Sequence, residues 1–100
     1  DQEADQYLTM AIKQAPEDTV VLMSLAETRF NLQDYEASAN YLARYQQLQS
    51  ASPTSLMLGY KLAMRRDDKR QAKELAEQLI LKFPDSKQAD TLRASGLSAQ

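Results

Sequence analysis

The sequence repeats itself with a step of 34 residues, and no other feature constrains its fold as strongly. Pro16 and Pro84 lie 68 residues apart, twice the step. Ala4, Ser38 and Ala72 form a column of small residues at the same step, and Tyr7, Tyr41 and Leu75 a column of large ones. Leu8, Leu42 and Ala76 form a further column, as do Ala11, Tyr45 and Leu79. On the intervening segments Leu22 matches Leu56, Met23 matches Met57, Phe30 matches Met64, and Asp34 matches Asp68. A unit of this length cannot bury an apolar face alone, so repeats of this kind stack on their neighbours.

Within each unit the period is helical. Ala72, Leu75, Ala76, Leu79, Ile80 and Phe83 fall on one side of a helix, and Tyr41, Leu42, Tyr45 and Leu48 make the same stripe one repeat earlier. Caps set the boundaries. Asp18 precedes "TVVLMSLAETRFNL", Asp34 precedes "YEASANYLARYQQL", and Ser52 precedes Pro53, which suits a first helical position. The spacing predicts helices over 3–15, 19–32, 35–49, 53–66, 69–83 and 86–95. With two glycines and three prolines in 100 residues, the expected class is all-α.

Composition narrows the function by exclusion. There is no cysteine and no histidine, so thiol nucleophiles, imidazole bases, disulfides and the usual zinc ligands are absent from the sequence. With 12 Lys+Arg against 14 Asp+Glu, the net charge of -2 offers no electrostatic footprint for nucleic acid or an anionic membrane surface. The longest apolar runs, such as "VVLM" at 20–23, are far short of the roughly 20 residues that cross a bilayer. The chain lacks an initiator Met and begins in mid-pattern at "DQEADQYL", which predicts a piece of a longer protein.

The densest charge cluster is "MRRDDKR" at 64–70. Asp67 and Asp68 have no clefted setting that would make them a catalytic pair; Asp68 reads as the cap of the next helix, with Gln71 completing a capping-box-like pair. Arg65 and Arg66 complement the carbonyl end of the preceding helix, whereas Lys69 and Arg70 stand at the wrong end of a helix dipole. Tyr35, Tyr41, Tyr45 and Tyr60 lack the basic groove of a base-stacking platform and read as packing residues. Met23, Met57 and Met64 suit a core and an adaptable binding surface equally well.

A 34-residue helix-turn-helix unit resembles the tetratricopeptide family. Starting the unit at Thr19, Leu22 takes the bulky first position, Leu25 and Ala26 the Leu-Gly pair, "DY" at 34–35 the inter-helix turn, and Ser38 the small position of the second helix. The sequence departs from the pattern at Ala26, at Tyr45 where a small residue is usual, at Ser50 where Pro is expected, and at "LG" 58–59, one residue out of register. These departures predict a bulge in packing at Tyr45 and an extra residue in the turn at 66–68. The resemblance implies an α-solenoid of about six helices forming a right-handed superhelix, a single domain over 1–100. Its parts are the second helix of a truncated repeat (1–18), repeats at 19–52 and 53–86, and a capping helix and tail (87–100), with Ala89 and Leu92 as anchors. Tyr7, Leu8, Ile12 and Met10 would be left partly uncovered, so a monomer or weak self-association through the first helix is expected.

By the same resemblance, the first helices of successive units line a concave groove, reached by Val20, Met23, Glu27 and Asn31 in one repeat and by Thr54, Met57, Lys61 and Arg65 in the next. Met23 and Glu27 stand where a carboxylate clamp would need Lys and Asn, so a helix or extended segment with apolar anchors suits this groove better.

Residues 43–86 resemble more closely the C-terminal repeats of the type IV pilus biogenesis and stability lipoproteins, the tetratricopeptide pilotins. The motifs are "SPTSLMLG" at 52–59, the Asp67-Asp68 turn and "FPDS" at 83–86. The resemblance implies a periplasmic lipoprotein anchored to the Gram-negative outer membrane outside this stretch, which binds a secretin subunit and supports its localisation or multimerisation in pilus (fimbrial) biogenesis. It implies no enzyme activity, no cofactor and no metal. The alternative is a generic interaction module of another cell-envelope or chaperone-adaptor protein.

Overall fold

The structure, a computed structural model, describes residues 18–95 together with Gln6, Thr9, Met10, Ala11 and Lys13. The described residues are helices and turns without a strand. The helices are α1 (Thr19–Asn31), α2 (Tyr35–Leu48), α3 (Pro53–Arg65), α4 (Lys69–Lys82) and α5 (Lys87–Ala94). The five described residues before Asp18 are also helical, within the span expected for the first helix. Of the residues expected to be uncovered there, Met10 is exposed; Tyr7, Leu8 and Ile12 lie outside the described residues. The chain divides into two compact units, Asp1–Ser50 and Ala51–Gln100.

In the first unit α1 packs on α2. Asp18 starts α1 by accepting from the backbone N–H groups of Val20 and Val21, and Asp34 starts α2 by accepting from Ala37 N–H. Each carboxylate satisfies donors that have no partner inside the helix. The buried residues are Leu22, Met23, Leu25 and Ala26 from α1, and Ser38, Leu42 and Tyr45 from α2. The small residues Ala26 and Ser38 meet, and the Ser38 hydroxyl donates to the Ala26 carbonyl at 2.6 Å. Tyr45 is taken into the interior, and α2 runs through it unbroken.

In the second unit α3 packs on α4, and α5 covers both. Ser52 and Ser55 form a reciprocal capping box at the start of α3, and Pro53 holds the first helical position. Leu56, Ala76, Leu79, Ile80, Ala89 and Leu92 form the core, with Met57, Tyr60, Leu75 and Phe83 packed against it. Ala89 and Leu92 are the anchors of α5, as the sequence predicts. The "FPDS" stretch is a structural corner. Phe83 seals the core, the Ser86 hydroxyl caps α5 by accepting from Ala89 N–H and donates to the Phe83 carbonyl, and the Arg93 guanidinium donates to the Pro84 carbonyl.

The repeat is preserved at the level of the backbone. α1 and α3 have 13 residues each, α2 and α4 have 14, and each pair starts 34 positions apart. The turns are also equal in length, so the extra residue expected at 66–68 is not there; the shifted "LG" is a substitution inside a helix of unchanged length. Gln33 and Asp67, again 34 apart, both adopt left-handed backbone, with φ of 65° and 59°. Around them Asp34 N–H donates to Arg29 O and Gln33 N–H to Phe30 O; Asp68 N–H donates to Ala63 O and Asp67 N–H to Met64 O. Both turns are Schellman motifs, which satisfy the last carbonyls of one helix before the next begins.

Candidate protein-binding faces

On α1, Val20, Met23, Glu27 and Asn31 are spaced by three, four and four residues, so they share one side of the helix. Their exposures differ. Val20 is 74% exposed and Glu27 and Asn31 are exposed, whereas Met23 is only 9% exposed. Of the two apolar groups, Val20 is therefore accessible and Met23 is packed.

On α3 the corresponding residues are Thr54, Met57, Lys61 and Arg65. Thr54 and Met57 are half-buried, Met57 resting against the core, while Lys61 and Arg65 are exposed. The Thr54 hydroxyl accepts from the side-chain amide of Gln88 at 3.5 Å. Gln88 lies on α5, 34 residues after Thr54, and so occupies the same column of the repeat. The 34-residue offset from Thr54 is the sequence signal that finds it. This face of the second unit thus continues from α3 onto α5.

The three methionines separate by position. Met23 and Met57 are packed, and Met64 is 49% exposed. The tyrosines serve packing: Tyr45 is buried, Tyr60 rests on the second core, and Tyr35 meets Phe30 edge-on at 5.2 Å and 63°. Tyr41 is half-buried with the Arg44 guanidinium 5.8 Å from its ring centroid.

The two aspartates of "MRRDDKR" have structural positions. Asp68 accepts from Gln71 N–H at 3.1 Å and caps α4, while Asp67 occupies the left-handed position of the turn. The reciprocal half of the expected capping box is not formed, because the Asp68 N–H is already committed to Ala63 O in the Schellman motif. Arg70 Nε lies 3.6 Å from Glu74 Oε1, one turn along α4. Among the described residues no group of three or more Asp or Glu side chains is arranged to hold a metal ion, and no helix is long and apolar enough to cross a membrane.

No family model matches the chain, and no curated protein matches it. A solved structure described as "Functional Characterization of Pseudomonas Aeruginosa pilF" does, with a TM-score of 0.80 and 21% sequence identity. The match covers 91% of this chain and 41% of that one, so the chain spans less than half the length of the protein it resembles. At this identity the likeness establishes the fold: the chain is an all-α assembly of tetratricopeptide-like helix-turn-helix pairs.

Proposed function

We propose that the chain is a non-catalytic protein-interaction module, one part of a pilotin that binds a secretin subunit and supports its outer-membrane localisation or multimerisation in type IV pilus biogenesis. The observation that carries this reading is the likeness to the pilF structure over 91% of the chain. The "SPTSLMLG" and "FPDS" motifs point the same way from the sequence. In this reading 1–100 belongs to one tetratricopeptide domain of a periplasmic lipoprotein, with the lipid anchor outside this stretch.

The binding surfaces are a stripe on each unit: Val20, Met23, Glu27 and Asn31 on the first, and Thr54, Met57, Lys61 and Arg65 on the second. Val20 supplies an apolar contact that folding does not bury, and Glu27, Asn31, Lys61 and Arg65 supply polar walls. Such a surface takes a helix or extended segment whose apolar anchors lie along one side. Capture of the secretin by the full-length protein, with and without residues 19–94, tests the assignment. Capture that depends on these residues supports it; capture that survives their removal excludes a direct role for them.

A further inference from the structure

The two inter-helix turns share one backbone and carry opposite charge. In the first unit the stretch 30–36 holds two carboxylates, Asp34 and Glu36, and no cation; in the second, 64–70 holds four cations, Arg65, Arg66, Lys69 and Arg70, against Asp67 and Asp68. The first turn is built for stability. Phe30 packs edge-on against Tyr35, and Asp34 caps α2 while also lying 3.4 Å from the Arg29 guanidinium.

The second unit puts Met64 and Lys69 in the columns of Phe30 and Tyr35, and Ala63 in that of Arg29. Met64 is left about half exposed, and Arg65, Arg66, Lys69 and Arg70 follow it in sequence, all exposed. Lys69 and Arg70 occupy the first turn of α4, which contains no acidic residue, so they oppose the positive end of the helix dipole. The Glu74 carboxylate offsets Arg70 from one turn away, at an exposed site where such a pair is weak. Local stability is given up here, on a backbone that does not require it, and the turn carries an exposed methionine followed by four exposed cations.

We propose that the turn joining α3 and α4, through Met64, Arg65, Arg66, Lys69 and Arg70, docks an acidic segment of a partner protein bearing an apolar side chain that rests on Met64. This rests on the reading of the chain as a protein-binding module and adds a second contact to the helix faces described above. A short acidic segment is favoured over a nucleic acid or anionic lipid surface because the chain as a whole is acidic, with net charge -2, and repels extended polyanions beyond the local patch. Steering by such a patch acts on association rate and orientation.

The test is a titration of the isotopically labelled protein with a Glu-rich peptide carrying one central Leu, followed by backbone NMR shifts. Shift changes centred on Met64–Arg70 are expected, fading with added salt and absent with a Gln-for-Glu copy. In the Lys69→Gln/Arg70→Gln double variant, affinity should fall on the order of tenfold while the melting temperature stays level or rises. Unchanged affinity in that variant, equal binding of the Gln copy, or tighter binding of phosphatidylglycerol vesicles or an oligonucleotide than of the peptide would each overturn the proposal. Secretin capture by the same double variant separates the two readings: capture retained alongside a failed titration removes the turn and leaves the helix faces standing.

Discussion

The Ser38 hydroxyl donates to the Ala26 carbonyl at 2.6 Å, across the interface between α1 and α2, with Ser38 fully buried. Two small residues meeting at this point let the helices approach, and the hydroxyl finds its partner in the facing backbone. Ser38→Ala keeps the size and removes the bond, so it should destabilise the protein by about 1 kcal/mol. Ser38→Leu overfills the same space and should cost more, about 1–3 kcal/mol. Urea unfolding of the two variants distinguishes size from hydrogen bonding. A tolerated Leu would mean the helices are not held in close contact at this position.

Gln33 and Asp67 carry side chains where the backbone is left-handed, a conformation that glycine adopts without steric penalty. Gln33→Gly should therefore stabilise the protein by about 0.5–1 kcal/mol. Asp67→Gly should gain less, since Asp tolerates this region better than Gln. Thermal melts read both, and a loss of stability in either would contradict the Schellman assignment at that turn.

The helix ends were legible because they are local chemistry: Asp18, Asp34, Ser52 and Asp68 each cap the helix that follows. What the repeat columns could not convey was competition for the same groups. Asp68 and Gln71 read as a box, but the turn takes the Asp68 N–H first. At the start of α3 it is Ser55 that completes a box with Ser52, its short side chain reaching back to accept from the Ser52 N–H at 2.8 Å. The equivalence of Met23 and Met57 in sequence also concealed a difference in exposure, which depends on what packs above each residue. Gln88 lies in the last helix, where the sequence signal is carried by the apolar anchors Ala89 and Leu92.

The Ser52–Ser55 box should behave as a coupled pair. Ser52→Ala removes the cap of α3 and should cost about 1 kcal/mol. Ser55→Ala removes the acceptor for the Ser52 N–H and is expected to cost a similar amount. In the double variant the losses should not add, because either change alone dismantles the box. Strict additivity in a double-mutant cycle by chemical denaturation would mean that the two bonds act independently.

The last helix holds the second core closed through Leu92, which is buried among Leu56, Ala76, Leu79 and Ile80. Leu92→Ala should destabilise that core by about 2–4 kcal/mol. Arg93→Ala, which removes the exposed contacts to the Pro84 carbonyl, should cost less, about 1 kcal/mol. Hydrogen exchange should show the Leu92 variant losing protection in α3, α4 and α5. Unchanged protection there would mean that α5 is not part of the cooperative core.

The central proposal is that the exposed sides of α1 and α3 each contribute to binding a secretin subunit. Its most direct measurement is the affinity of the full-length protein for that subunit in the parent, in Val20→Asp and in Lys61→Glu, with melting temperature followed in parallel. Both positions are exposed and outside the core, so the melting temperatures should agree with the parent within about 2 °C. Val20→Asp should weaken binding by about tenfold or more, as loss of an apolar anchor does, and Lys61→Glu by a smaller factor. Affinity unchanged in both variants, or a parent protein that does not bind the secretin, would contradict the account.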